Sequence, residues 1–163
     1  MQWFLLIGFV AGMRTMTPIT VLCWFAWLNL LPETGWAAWT GSIFSVIGFT
    51  ISALGEYVVD VLPQTPSRLE PPLLLARVVS GAVACVLTMH VFEQPIIGGV
   101  LFGGVGALLG AYGGYQARTW LAGKVGRDLP AGIGESAVAL GLVVFAMVRL
   151  QLEFHRELTH SPW

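Results

Sequence analysis

Apolar residues form five long stretches along the chain, and short polar segments separate them. A helix needs about 20 consecutive apolar residues to cross the hydrocarbon core of a bilayer. The pattern therefore predicts an all-α fold: a polytopic bundle of about five transmembrane helices in a single domain, residues 1–150, with a short polar tail, residues 151–163. The predicted spans are residues 3–31, 36–62, 73–91, 96–120 and 131–150.

The first apolar stretch is longer than one span needs, and Thr17 and Pro18 interrupt it. Proline lacks a backbone donor, and it disfavours the helical conformation in the residue before it. We therefore expect a kink or a broken helix near residues 15–18. Because the stretch is too long for a cleaved signal peptide and no basic segment precedes it, we interpret it as a retained span.

Positive charge is distributed unevenly over the predicted loops. The loops after the second and fourth spans, together with the helix border next to them, contain Arg68, Arg118, Lys124 and Arg127, whereas the loops after the first and third contain no lysine or arginine. Because cytoplasmic loops are enriched in these residues, the former loops are predicted to be cytoplasmic. With five spans the N-terminus lies on the same side and the tail, which contains Arg156, lies on the other.

The composition supports a lipid environment and limits the classes of function. Of the 163 residues, 56% are hydrophobic and 10% are charged, whereas a soluble domain has about 25% charged residues. Membrane lipids are therefore the expected surroundings, and the net charge of −1 gives no indication of nucleic-acid binding. The chain lacks the short motifs of hydrolytic, nucleotide-binding and zinc enzymes, so no catalytic residue, cofactor or metal site is predicted.

Glycine is concentrated in the fourth predicted span. A spacing of four residues places small residues on one helix face, where another backbone can approach closely. This face predicts close helix packing within the bundle, and the alternatives are a homodimer face that builds a homo-oligomer or a pore-lining helix. The glycines in this spacing are Gly99, Gly103, Gly106, Gly110 and Gly114.

Six charged residues lie inside the predicted spans, where charge is costly and marks a functional candidate by default. Three are positive and three are negative, so they could neutralise one another. Two interpretations stay open: a neutral ion-pair network that locks the helices together, or a polar cavity for an ion or a small polar head group. The six residues are Arg14, Glu56, Asp60, Arg77, Arg118 and Glu135.

The depths of these charges suggest which of them meet. At a rise of about 1.5 Å per residue, Glu56, Arg77 and Glu135 lie roughly 8–9 Å from the same membrane face. Arg14 lies roughly 16 Å from Trp3, close to the midplane. We therefore predict that Glu56 and Arg77 belong to one polar cluster, with Glu135 nearby.

A weak internal similarity relates residues 53–59 to residues 132–138. The helix pairs concerned would have opposite orientations in the membrane, and inverted repeats place a binding site at their interface in many transporters. A weak inverted repeat is therefore one interpretation, and chance similarity between two apolar segments is the other.

Two segments carry motifs that resemble a known family. The first is residues 11–18, AGMRTMTP, and the second begins at Glu56 with the pattern EYxxDxLPxxPSRxxP and continues through Arg77 to Gly81. They are similar to a family of small bacterial integral membrane proteins that is catalogued as a domain of unknown function. The resemblance covers nearly the whole chain and implies a multi-span protein of the bacterial inner membrane, without an established activity. The family pattern often has a lysine where this chain has Val61, and an acidic pair where this chain has Glu135 followed by serine.

Three functions are compatible with these features. The leading hypothesis is transport or permeation of an ion or small polar solute, because charge, an interrupted span and a glycine-rich helix occur together. The second is binding or modification of lipid head groups, in which Arg68, Arg77 and Arg118 hold a phosphate. The third is a membrane scaffold or assembly factor that acts through helix packing alone.

Overall fold

A computed structural model describes residues 1–31, 35–60, 70–125 and 128–160, and the regular structure of this part of the chain is entirely helical. The predicted all-α fold is confirmed. The helices, in chain order, are α1 (Gln2–Met13), α2 (Thr17–Trp27), a 3₁₀ helix (Gly35–Gly41), α3 (Ile43–Val59), α4 (Pro71–Val91), α5 (Ile96–Val125) and α6 (Asp128–His160).

The first apolar stretch folds as two short helices, α1 and α2, so the predicted break is confirmed. Arg14 follows α1 in an extended conformation, with φ −140° and ψ 105°. Pro18 lies in the first turn of α2. Its missing N–H has no intrahelical acceptor at that position, and its fixed φ suits the start of a helix. The chain therefore changes direction over residues 14–16.

Helix α1 runs antiparallel to α6. The indole of Trp3, at the start of α1, donates to Glu153 near the end of α6 over 2.7 Å. Arg14, directly after α1, donates to the carbonyl oxygen of Gly132 near the start of α6. The N-terminus therefore lies at the end of the bundle where α6 finishes.

Helix α2 returns to the end at which α1 began. Trp27, its last residue, lines a cleft together with Val91, the last residue of α4. The adjacent Phe92 lines a second cleft with Met1 at the N-terminus. Helices α1 and α2 thus form a hairpin whose tip, residues 14–16, lies inside the bundle. We call the end with Met1 and Val91 the terminal end and the opposite end the cluster end.

The prediction of about five spans is wrong. By length and hydropathy, three described segments are suited to cross a membrane, and the 3₁₀ helix with α3, bent by 64° at their junction, makes a fourth if the two are one span. The first stretch adds none, because α1 and α2 contain 12 and 11 residues. Each is roughly 17–18 Å long, too short for a hydrocarbon core of about 30 Å. The three long segments are Pro71–Val91, Ile96–Trp120 and Gly132–Glu157.

Because of the hairpin, the N-terminus and the polar loops after α3 and α5 lie at opposite ends of the bundle. The five-span topology placed the N-terminus on the same side as the connections after α3 and α5. In the structure these connections follow the helix ends at the cluster end, opposite the N-terminus. Arg68, Arg127 and the side chain of Lys124 lie outside the described residues. Helix α6 continues past Leu150, the predicted end of the last span, to His160.

Helix α5 packs against both α1 and α4 through its glycines. A Cβ atom at Gly99 would lie 2.8 Å from the Cα of Val86 in α4, and one at Gly106 would lie 2.5 Å from the carbonyl oxygen of Leu5 in α1. These glycines therefore lie where the backbone of α5 approaches those of α1 and α4, whereas a homo-oligomer through this helix stays a prediction. The other glycines of the predicted set are also buried: Gly103, Gly110 and Gly114.

Substitution of Gly110 by alanine tests this packing. The new Cβ would overlap the backbone of Phe9 in α1, so we expect Gly110→Ala to lower stability by about 1–3 kcal/mol. The matched control is Gly141→Ala in α6, where a Cβ meets nothing within 4 Å and higher helix propensity should leave stability equal or slightly raised. Melting of the purified protein, followed by tryptophan fluorescence, gives both values. Equal melting temperatures for the two variants would contradict the packing.

Cysteine labelling in intact cells tests the hairpin. The native residues Cys23 and Cys85 are buried, so single cysteines introduced at exposed positions report their own side of the membrane. We expect Gln2→Cys and Glu93→Cys to react with an impermeant reagent from one side, and Gly123→Cys from the other. Labelling of positions 2 and 123 from the same side would mean that the first stretch crosses the membrane.

Candidate functional site

The six charged residues predicted from the sequence lie close together around the tip of the α1–α2 hairpin. They come from the hairpin tip and from four helices, α3, α4, α5 and α6. Arg14 is fully buried, and Asp60, Arg77 and Glu135 are each at most 9% exposed. The cluster consists of Arg14 at the tip, Glu56 and Asp60 at the end of α3, Arg77 in α4, Arg118 in α5 and Glu135 in α6.

Glu56 holds the backbone at the start of α2. The main-chain N–H of Thr15 donates to its Oε1 over 2.7 Å, and that of Met16 donates to its Oε2 over 2.9 Å. The first N–H groups of a helix have no intrahelical acceptor, and the helix dipole makes this end partly positive. A carboxylate is therefore matched to this position both in hydrogen bonding and in charge.

Arg77 holds the other side of the break, at the end of α1. Its Nη1 donates to the carbonyl oxygens of Gly12 and Met13, each over 3.0 Å. The last carbonyls of a helix lack intrahelical donors, and this end is partly negative. The same Nη1 lies 3.8 Å from Oε1 of Glu56. The two broken ends thus meet side chains of opposite charge, which also interact with each other.

Arg14 connects the hairpin tip to α3 and α6. Its Nη1 donates to Oδ2 of Asp60 over 2.7 Å, and its Nη2 donates to the carbonyl oxygen of Gly132 over 3.1 Å. The carboxylate of Glu135 lies 3.9 Å from Nη2, and the ring of Tyr57 lies 5.0 Å from the guanidinium carbon. Full burial of this arginine is therefore compensated by a carboxylate, a carbonyl and an aromatic face.

Asp60 is the residue that the arginines share. Besides its bond to Arg14, its Oδ1 lies 4.0 Å from Nη2 of Arg77. Its main-chain carbonyl accepts a hydrogen bond of 2.7 Å from Nη2 of Arg118. Asp60 directly follows α3, so Arg118 donates to one of the carbonyls at that helix end, where intrahelical donors run out.

The cluster is electrically balanced, with three guanidinium groups and three carboxylates. Such a balanced network fits a structural role, because a buried pair is strongly destabilised only when one partner is removed. The network also brings many hydrogen-bond donors and acceptors together at one point inside the bundle. Among the described residues, no group of three or more histidine, cysteine, aspartate or glutamate side chains is placed to hold a metal ion.

Several groups of the cluster could not be identified from the sequence. The carbonyls of Gly12 and Met13 and the N–H groups of Thr15 and Met16 belong to the site, yet main-chain groups leave no mark in a sequence pattern. The interruption before Pro18 was the available indication of their exposure. Arg14 also lies nearer the cluster end than its predicted place at the midplane, because the hairpin tip reaches the start of α6.

Comparisons of the chain with protein-family models, with curated proteins and with solved structures find no match. The resemblance to a family of small bacterial membrane proteins therefore stays a prediction.

A double-mutant cycle on Glu56 and Arg77 tests their coupling. Glu56→Gln loses one of the two acceptors at the start of α2, and Arg77→Gln leaves Glu56 without its cation, so each change should cost about 3–5 kcal/mol. The double variant should lose less than the sum, by about 0.5–3 kcal/mol. Melting temperature and folded yield are the measurements, with the exposed Glu157→Gln as a neutral control. Strictly additive losses would show that the two residues act independently.

Proposed function

We propose that this protein is a membrane transporter of an ion or small polar solute, with the charged cluster at its binding site. Non-helical backbone at membrane depth is tolerated only where protein buries it or where it lines a cavity. In many secondary transporters, interrupted helices with exposed half-helix ends form the solute site. Ionisable groups inside a membrane protein are also functional candidates, because charge at membrane depth is energetically costly.

The observation that supports the proposal best is the way the hairpin tip is held. The carbonyls of Gly12 and Met13 bind Arg77, and the N–H groups of Thr15 and Met16 bind Glu56. In a continuous helix the Gly12 carbonyl would accept from the Met16 N–H, and the other three groups would likewise have partners within the helix. Here they are bound to side chains, which can move aside and let a solute take their place.

A cleft at the terminal end adds a second polar feature along the hairpin. It has a volume of about 420 Å³, and it lies beside α2, between the 3₁₀ helix and the end of α4. Asn29 and Thr40 are among its lining residues. The cluster lies at one end of α2 and the cleft at the other, so polar features occur at both ends of this helix.

The proposed orientation places the cluster end in the cytoplasm of a bacterial cell. Lys124 lies near the end of α5 on this side, and the connections that contain Arg68 and Arg127 follow helix ends there, whereas Arg149 and Arg156 lie on α6 towards the terminal end. The excess of positive charge favours this orientation. Both termini would then face away from the cytoplasm.

A scaffold is the second candidate, and the charge balance of the cluster favours it. Three guanidinium groups and three carboxylates with mutual contacts would join four helices and the hairpin without any solute. By contrast, no contact among the described residues favours lipid head-group binding. Arg77 and Arg118 both donate to main-chain carbonyls, which uses donors that a phosphate would need.

Flux measurements in proteoliposomes separate transport from scaffolding. The purified protein should accelerate uptake of at least one of protons, sodium, potassium, chloride or guanidinium about tenfold or more over protein-free liposomes. We expect Glu135→Gln to abolish this flux, because the variant removes the negative charge near Arg14, while Glu157→Gln on the exposed end of α6 keeps it.

Melting temperatures of the same samples complete this test. A flux lost in Glu135→Gln at nearly unchanged stability supports a transport site. Uptake at the protein-free rate for every solute, with a folded protein, would contradict the proposal and leave the scaffold.

A further inference from the structure

Three oxygen atoms converge on Nη1 of Arg77. The carbonyl oxygens of Gly12 and Met13 each lie 3.0 Å away, and Oε1 of Glu56 lies 3.8 Å away. The carbonyls belong to the last turn of α1, whose dipole adds partial negative charge at this point. Carbonyl oxygens from a helix end together with one carboxylate are the ligands that monovalent cations take in interrupted membrane helices.

The charge of the cluster depends on what occupies this position. With Arg77 in place, the six cluster residues sum to zero. Without its guanidinium, Glu56, Asp60 and Glu135 face only Arg14 and Arg118, which leaves one uncompensated negative charge inside the bundle. Arg14 cannot replace Arg77, because it is fully buried and already bound to Asp60 and Gly132. The position therefore requires one positive charge.

The two carbonyl oxygens are fixed by the backbone, whereas the group that fills the position is the end of a long side chain. A Cβ at Gly12 would overlap the backbone of Ala107 in α5, so the end of α1 is packed directly against another helix. Arg77 reaches this position from α4, six residues after Pro71, on a long side chain with several rotatable bonds. Movement of the side chain would vacate the position without any change in the backbone.

We infer that the end of α1 and Glu56 form a site for a small monovalent cation, and that the guanidinium of Arg77 is its built-in occupant. As the substrate class of the transporter, this inference rests on the proposed function. A cation from solution takes the same carbonyls when the guanidinium of Arg77 moves out of the cluster, and this exchange of one positive charge for another keeps the cluster neutral. The single net charge that the position needs selects a monovalent cation over a divalent one.

Chemical rescue by guanidinium chloride tests the site directly. Arg77→Ala should melt well below the wild-type protein, because the carboxylates lose a cation. Millimolar guanidinium should then raise its melting temperature in a saturable way, by about 3–6 °C at tenfold excess over its Kd. Choline chloride at equal ionic strength should have no such effect. The wild-type protein, whose site is filled, should show no saturable rise.

Two further variants test whether the rescue by guanidinium arises at this site. Rescue should disappear when Glu56→Gln is combined with Arg77→Ala, since the carboxylate ligand is lost. Arg149→Ala removes an arginine that stacks on Trp3, far from the cluster, and should show no response to guanidinium. If Arg77→Ala does not fold, Arg77→Gln serves in its place, because its amide can still donate to the carbonyls of α1.

The outcomes separate this inference from the proposed function. Absence of saturable rescue in Arg77→Ala and Arg77→Gln would overturn the cation site. Rescue without flux of any of the five solutes in the wild-type protein would keep the site and overturn transport. Flux of chloride or protons without rescue would keep transport and overturn the cation site.

Discussion

The main-chain groups at the tip of the α1–α2 hairpin impose the constraint on which the rest of the structure depends. A helix that stops inside a bilayer leaves carbonyls at one end and N–H groups at the other, and lipid offers neither donors nor acceptors. Here Arg77 and Glu56 supply them from α4 and α3. These two residues carry opposite charges and lie 3.8 Å apart. The charged network continues around them through Arg14, Asp60, Arg118 and Glu135.

The glycine-rich helix makes this arrangement possible. Helix α1 is too short to cross the bilayer, so its position is set by contact with α5. Glycines on both helices remove the side chains that would keep the backbones apart, as at Gly8, where a Cβ would lie 2.7 Å from the carbonyl oxygen of Gly103. The tip is therefore fixed against α5, and the charges of α3, α4 and α6 gather around a rigid point.

The parts of the fold that depend on local sequence could be predicted, and those that depend on tertiary contacts could not. Pro18 acts on its own neighbours, so the break near residues 15–18 was visible. Charges inside apolar stretches are rare, so the sequence contained few candidates for the cluster. Whether the chain continues across the membrane after a break or turns back is decided by packing against α5 and α6. For that reason the span count was missed.

The cluster also sets an order in which the protein can reach its final structure. Arg14 is separated from Asp60 by 46 residues and from Gly132 by 118, so synthesis delivers the hairpin tip long before its partners. Until α6 has been made, this arginine lacks part of the environment that permits its burial. The hairpin tip is thus made before the residues that surround it, and it reaches its final environment only after α6 has been made.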